Sequence, residues 1–521
     1  MTEPSPLLDA APDRPAPAWV EPAAFAAMVR PAAPPPPADA VVGKGLGVSP
    51  GTAHGVATFD TARAVERSGR GEPVVLVCAE TRPEDLPALL AAAAVVTVRG
   101  GRTSHAAVVA RSLGRPCIVG LADARLDPGR LSLGTATVAD GDLITVDGSL
   151  GLLARGEWVG SPPPAATDAI QRLLATADAQ RRMQVWANAD TAADATAARA
   201  AGATGIGLCR TEHMFLGDRQ RMLADVLLGP FDHTAQDILE EIHRMQRTDF
   251  EAVLSAMDGR PVTVRLLDPP RHEFLPDLTE LAVQAAVRPD PAAQRRLRLV
   301  RRLAERNPML GVRGVRLGVI LPWLYEMQIA ALLEATLARI AAGGDPRPRL
   351  LVPMVATAAE LRLVRATAAH LLDGVRPLAA RDIAVPVGVM IETPRAALIA
   401  AELAEAADFF SFGTNDLTQL TWGLSRDDTD AAVLRPYADL GLIEASPFER
   451  LDRDGVGQLI ALAVRSGRRA RPDLPIGVCG ELAADPDAIQ HFHDWGVDTV
   501  SCSVPDLAIS RYAAGYAARP I

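Results

Sequence analysis

From residue 184 onward the chain repeats one pattern, a short apolar run of strand character followed by a longer stretch with helical spacing. Eight strand candidates can be counted: Gln184–Ala189, Gly205–Cys209, Val262–Leu267, Val312–Leu317, Leu350–Val355, Pro386–Ile391, Phe409–Phe412 and Ile476–Cys479. A strand followed by a helix buries both only when such units stack side by side. Eight of them predict an α/β fold of the (β/α)8 TIM-barrel type over residues 184–521, with a doubly wound open sheet as the alternative. Polar residues stand just past several of these runs: Arg210, Asp268, Glu392, Asn415-Asp416 and Gly480-Glu481. In a barrel those ends converge on one mouth, where active sites lie.

Upstream the pattern changes. Residues 41–155 alternate β-rich segments such as Pro73–Cys78, Ala94–Val98 and Leu143–Val146 with Gly and Asp turns, interrupted by one helical segment from Ser104 to Leu113. A small, strand-dominated domain is expected there. Residues 156–183 read as a linker, with Gly160-Ser161-Pro162-Pro163-Pro164 followed by a helix from Asp168 to Met183. Residues 1–40, rich in Pro and Ala and containing Pro34-Pro35-Pro36-Pro37, read as an extended tether or a tail without a role.

Composition narrows the function classes. At 521 residues and 49% hydrophobic, the chain can build more than one core. Acidic residues outnumber basic ones by 63 to 53, a net charge of −10, which argues against a nucleic-acid partner while leaving room for arginines placed in an anion pocket. Five scattered cysteines without metal-ligand spacing suggest reduced thiols. The first residues lack the regions of a signal peptide, and the longest apolar stretch, Leu86 to Val98, is too short to span a bilayer. A cytoplasmic protein without a membrane partner is expected.

The string Gly100-Gly101-Arg102-Thr103-Ser104-His105-Ala106-Ala107-Val108-Val109-Ala110-Arg111 follows a strand and opens a helix. Paired glycines permit close backbone approach, and His105 falls at a helix N-terminus, where free N–H groups favour an anion. A phosphoryl group carried on the imidazole would be stabilised there. Thr103 and Ser104 add donors, although either hydroxyl also fits a plain N-cap.

This string resembles the phosphohistidine motif of the phosphoenolpyruvate-utilising enzymes, a family that includes pyruvate, phosphate dikinase, phosphoenolpyruvate synthase and enzyme I of the sugar phosphotransferase system. The resemblance implies that His105 is phosphorylated and that its small domain swivels between two sites. It extends in order from Val41 to the C-terminus. Arg265 to Pro276, Phe409 to Gln419, Ser425-Arg426-Asp427-Asp428 and Val500-Ser501-Cys502-Ser503 are similar to the dikinase branch.

The barrel strand ends offer what chemistry on phosphoenolpyruvate needs. Arg210, Arg265 and Arg313 sit among strand-like apolar residues, where an unpaired charge is costly, and a guanidinium fork suits phosphate. Glu392 and Asp416 offer oxygen ligands for Mg²⁺, although two unrelated helix caps fit the same spacing. Cys479, flanked by glycines, reads either as a buried inert thiol or as an acid poised beside carbon. By resemblance, the three arginines bind substrate phosphate and carboxylate, and Asn415 and Thr414 contact substrate. Glu392 and Asp416 hold Mg²⁺, and Cys479 protonates the enolate. The expected reaction interconverts phosphoenolpyruvate and pyruvate through phosphohistidine.

Two departures matter. No nucleotide-binding region precedes Val41 in this sequence, so the expected activity is a partial reaction, with a separate ATP-grasp or phosphoryl-carrier protein as partner. Leu482-Ala483-Ala484 after Glu481 is nearer to enzyme I than to the dikinases. An enzyme I-like phosphotransferase and a non-catalytic regulatory relative are therefore the alternatives. The resemblance also implies a homodimer through the barrel.

Overall fold

The computed structural model describes residues 19–29, 37, 39–49, 51–82, 85–101, 104–121, 123–158, 168–215, 218–228, 233–287, 290–426, 429 and 433–519. The Gly160–Pro164 linker, Pro34–Pro36, Arg102, Thr103 and the pair Asp427-Asp428 lie outside them.

Eleven strands precede the barrel: β1 (Val41–Lys44), β2 (Leu46–Ser49), β3 (Thr52–Thr58), β4 (Val74–Cys78), β5 (Ala94–Thr97), β6 (Cys117–Val119), β7 (Ala124–Asp127), β8 (Arg130–Leu133), β9 (Ala136–Ala139), β10 (Leu143–Asp147) and β11 (Leu152–Arg155). Eight form one mixed sheet in the order β1-β11-β10-β3-β4-β5-β6-β2, and β7-β8-β9 form a separate antiparallel sheet. The central strands β4 and β5 read as continuous apolar runs because both faces are covered, by two distinct clusters built on Leu76 and Val95 on one side and Val75 and Val96 on the other. Three helices cover this sheet where one was expected: Thr61–Gly69, Leu86–Ala91 and His105–Leu113. The first starts at Asp60, whose carboxylate accepts from the Arg63 N–H at 2.9 Å. The second is part of the apolar stretch Leu86 to Val98, too short for its period to declare itself.

The remainder closes into a barrel of eight parallel strands: β12 (Gln184–Asn188), β13 (Ile206–Arg210), β14 (Pro261–Arg265), β15 (Arg347–Val352), β16 (Val387–Ile391), β17 (Phe410–Phe412), β18 (Ile476–Val478) and β19 (Thr499–Cys502). Pairing of Gln184 with Thr499 and of Ala187 with Cys502 joins the first strand to the last. The count of eight matches expectation, but one member does not. Val312–Leu317 is no strand: Pro308–Leu310 forms a tight 3-10 turn and Val315–Ile320 an α-helix. Its alternation of apolar residues with arginines mimics strand periodicity. Gly314, at φ +56, turns the chain, and its N–H donates to the Asp268 carbonyl across the mouth. The missing strand is β19, whose Thr-Val-Ser-Cys sequence is too polar to stand out, although Val500, Ser501 and Cys502 are all buried.

The tail also differs from a simple tether. Pro22–Val29 is a helix, and Phe25, fully buried, stacks on Tyr512 with ring centroids 3.9 Å apart. The Tyr512 hydroxyl donates to the Val20 carbonyl at 2.8 Å. An Ala/Pro-rich composition hid two aromatic anchors, since Trp19 also packs against Tyr512 and Tyr516. Within the acidic chain, the helix Pro291–Leu303 carries exposed Arg295, Arg298, Arg301 and Arg302, a local basic face that the overall charge balance conceals.

Among the described residues no helix is long and apolar enough to cross a membrane. Replacing Phe25 with Ala removes the stacked ring and is expected to cost about 3 kcal/mol of stability. Chemical denaturation measures this, and an unchanged midpoint would show that the anchor contributes nothing.

Candidate active site

The mouth of the barrel holds a cavity of about 200 Å³, suited to a small metabolite rather than a large ligand. Seven residues singled out from sequence line it: Arg210, Arg265, Arg313, Glu392, Asn415, Asp416 and Cys479. Arg210 and Arg265 end β13 and β14, Glu392 follows β16, and Cys479 follows β18. Asn415 and Asp416 open the helix Thr414–Trp422 after β17, and Arg313 comes from the excursion that crosses the mouth. Thr414 is buried beside the cavity, and its Oγ has no hydrogen-bond partner.

Charge is tightly arranged. Arg265 pairs with Glu212 and lies 3.1 Å from Asp268. Arg313 reaches Asp268 at 2.6 Å and Asp416 at 2.8 Å. Burial opposes the charge on Asp268, but Arg313 and Arg265 more than offset it and hold the carboxyl below its ordinary range. Glu392 behaves oppositely. Burial, then Asp268 and Asp416, push its carboxyl well above the ordinary range, against the pull of the two arginines. It accepts the Met354 N–H, and Met354 is held at φ +56, a left-handed backbone unusual for a side chain of this kind.

Asp268, Glu392 and Asp416 bring carboxylate oxygens within 4.8 Å of one another. Three converging carboxylates, one of them pushed toward its neutral form by burial and then by the other two, fit a divalent cation. Asp268 stood out in the sequence as a strand-end residue but not as a ligand, because only the fold brings it to the other two.

Cys479 is 2% exposed, and its sulfur accepts from the Ser411 hydroxyl at 3.2 Å. Burial pushes its thiol up, so it carries its proton. The surrounding backbone is crowded. A Cβ on Gly480 would lie 1.9 Å from the Thr414 Oγ, and one on Gly413 would lie 2.6 Å from Glu392 Oε2. Only glycine fits at either place.

His105 is not among the cavity residues. It opens the helix His105–Leu113 on the small sheet, and its Nδ1 lies 3.1 Å from the Thr81 hydroxyl. Burial lowers its pKa, Asp85 pulls it back up, and His213 at the cavity rim adds to the lowering. Gly100, at φ +109, lets the loop pass close to Ser104, whose buried Oγ has no partner among the described residues. Thr81, Asp190 and His213 were missed in the sequence. Each is an ordinary residue whose partner is distant in the chain or whose setting depends on two modules meeting.

A small sheet carrying a helix-opening histidine, joined to a barrel whose mouth is lined by arginines and carboxylates, defines a class, and comparison agrees. Residues 165–518 match the PEP-binding domain of PEP-utilising enzymes, and residues 70–151 match their mobile domain. The chain belongs to the phosphoenolpyruvate-utilising enzyme family. It is 44% identical over 506 residues to the pyruvate, phosphate dikinase of Rhizobium meliloti (strain 1021), covering 96% of this chain and 56% of that protein. It is 44% identical over 490 residues to the chloroplastic pyruvate, phosphate dikinase 1 of Arabidopsis thaliana, covering 91% of this chain and 50% of that protein. The chain thus spans about half the length of these curated relatives.

Glu392 yields a test. Its folded pKa is raised above the unfolded value, so its contribution to stability is present at low pH and is lost as pH rises through the folded value. Without metal, Glu392→Gln should abolish that alkaline loss. Mg²⁺ should raise the melting temperature of the wild type but not of the variant. Equal Mg²⁺ shifts in both would remove Glu392 from the metal site.

Proposed function

We propose that the chain interconverts phosphoenolpyruvate and pyruvate through a phosphohistidine at His105, in the manner of the pyruvate, phosphate dikinases it resembles. One observation carries the reading: arginines, a carboxylate triad and a buried thiol share one small cavity, and the cavity-lining His213 is felt at His105 on the separate small sheet.

In this reading Arg210 and Arg265 take the phosphate and carboxylate of the substrate, and the unpartnered Arg265 Nε and Thr414 Oγ are donors held ready for it. Asn415 accepts the Glu481 N–H at 3.2 Å through its Oδ1, which leaves its NH₂ group to face substrate. Asp268, Glu392 and Asp416 would hold Mg²⁺, which when bound supplies charge stabilisation for the enolate oxygen. Arg313 is more an organiser than a free anion ligand, since Asp268 and Asp416 occupy its guanidinium.

The chemistry follows from the protonation states. His105 Nδ1 lies 3.1 Å from the Thr81 hydroxyl; in this reading the ring's proton sits on that nitrogen and the Nε2 lone pair is free, and burial lowers the pKa toward the neutral, nucleophilic ring. Nε2 attacks phosphorus, the N–P bond forms, and the bond to the enol oxygen breaks. The pyruvate enolate then takes the Cys479 proton on its terminal carbon, and solvent restores the thiol. Ser104 Oγ and the N–H groups at the start of its helix are the donors available to the phosphoryl group on His105. The physiological phosphoryl acceptor, whether a nucleotide-binding protein, a carrier or another part of a longer polypeptide, lies beyond this cavity. A homodimer through the barrel and a cytoplasmic setting complete the reading by likeness to the family.

Labelled phosphoenolpyruvate with Mg²⁺ is expected to place phosphate on His105 and release pyruvate, with no label in His105→Ala. Cys479→Ala should slow pyruvate formation by roughly 10²-fold or more while leaving substrate binding near wild type. Persistent label in His105→Ala would defeat the assignment of the nucleophile, and wild-type pyruvate formation in Cys479→Ala would defeat that of the acid.

A further inference from the structure

His213 is not explained by the roles above. It sits on the turn Thr211–Phe215, directly after the substrate-facing Arg210, and lines the cavity. Its Nδ1 lies 2.7 Å from the Asp190 carboxylate. The same carboxylate accepts the Arg210 N–H at 2.6 Å and lies 3.8 Å from the Arg210 guanidinium. The ring is 40% exposed, so one edge is fixed by Asp190 while the rest faces open space. His105 is close enough to feel its charge.

We propose that His213, hydrogen-bonded to Asp190, is a further catalytic residue, the rim group that meets the phosphoryl group as it passes between Arg210 and His105. The inference rests on the phosphohistidine reading. A phosphoryl group in flight carries charge spread over its peripheral oxygens, and a pre-oriented donor at the point of transfer stabilises that charge without reorganising. Arg210 and Arg265 are anchored at the strand ends. Among the described charged groups near the transfer path, His213 is the one that also lies within electrostatic reach of the nucleophile. A cation here does two things at once. It attracts the phosphoryl oxygens, and it discourages protonation of His105, keeping the Nε2 lone pair available.

The groups facing His213 set its state. Crowding by protein disfavours its charge, but Asp190 and Glu212 outweigh that and Arg210, and its pKa is raised. His105 is shifted the other way. Phosphorylation of His105 therefore needs one imidazole neutral and the other charged. The rate should fall on the acid side, below the ordinary histidine value of 6.5, as His105 gains a proton. It should fall on the alkaline side, above 6.5, as His213 loses one.

The test is the rate of His105 labelling by radioactive phosphoenolpyruvate and Mg²⁺ in a single turnover, followed from acid to alkaline pH. This step precedes proton transfer from Cys479, so the thiol does not shape the profile. His213→Gln is expected to label roughly 10²-fold more slowly at the optimum, with substrate affinity near wild type and no alkaline limb. His213→Lys should recover part of the rate and move the limb to higher pH. Asp190→Asn should move the wild-type limb to lower pH, and serves if a His213 variant fails to fold. A His213→Gln rate within twofold of wild type, or a slow rate that keeps the alkaline limb, overturns the proposal. Absence of any label in the wild type would instead overturn the phosphohistidine reading beneath it.

Discussion

Asp268 carries the charge lattice on which the barrel mouth is built. It is 1% exposed and sits between Arg265 and Arg313, themselves only 8% and 4% exposed. None of these charges could stay buried alone, and each is tolerated because the others neutralise it. Glu212 and Asp416 extend the lattice to the turn after β13 and the helix after β17. The lattice therefore ties four segments into one geometry, and losing one partner would leave an uncompensated buried charge. It also couples the sites it joins. A cation held by Asp268 and Asp416 would compete with Arg313 for the same carboxylates.

The backbone around this lattice is shaped to let charges approach. Gly413 and Gly480 are places where a methyl group would collide with Glu392 or Thr414. Met354 accepts a left-handed backbone so that its N–H points at Glu392. Strain of this kind persists only where the surrounding structure fixes it, and here it fixes the carboxylate that burial, and then Asp268 and Asp416, push toward the neutral form. Local propensity gives way to site geometry at the residues where ligands would bind.

Seven of the nine site residues named from sequence meet in one cavity, six because strand ends in a parallel barrel must converge and Arg313 because a non-strand excursion crosses the mouth. What failed to read has physical causes. Val312–Leu317 alternates like a strand because arginines needed at the mouth are interleaved with residues buried beneath it. β19 is short and polar because closing the barrel, rather than its own apolar content, buries it. Asp190 lies 20 residues before Arg210, and Phe25 binds a tyrosine near the other end of the chain. Pairs at such separations leave no periodic trace. The role of Thr81 was invisible for the same reason, since a threonine after a strand says nothing about the histidine it will orient.

The two imidazoles show why nucleophile and cavity belong to different modules. A pocket that binds a phosphate and a carboxylate must be cationic at its contacts, and a cationic pocket suits a nucleophile only if that nucleophile stays uncharged. Mounted on its own sheet, His105 is buried enough to remain neutral, and its ring is oriented by Thr81 rather than by a carboxylate that would raise its pKa. His213, mounted on the barrel, has the hydrogen-bonded carboxylate that His105 lacks. The two rings are shifted in opposite directions, His105 down by burial and His213 up where Asp190 outweighs burial, so the difference follows the hydrogen-bond partner that each module supplies. Exchanging those partners, a hydroxyl for Asp190 and a carboxylate for Thr81, would charge the nucleophile and discharge the rim, and every group needed for the chemistry would still be present.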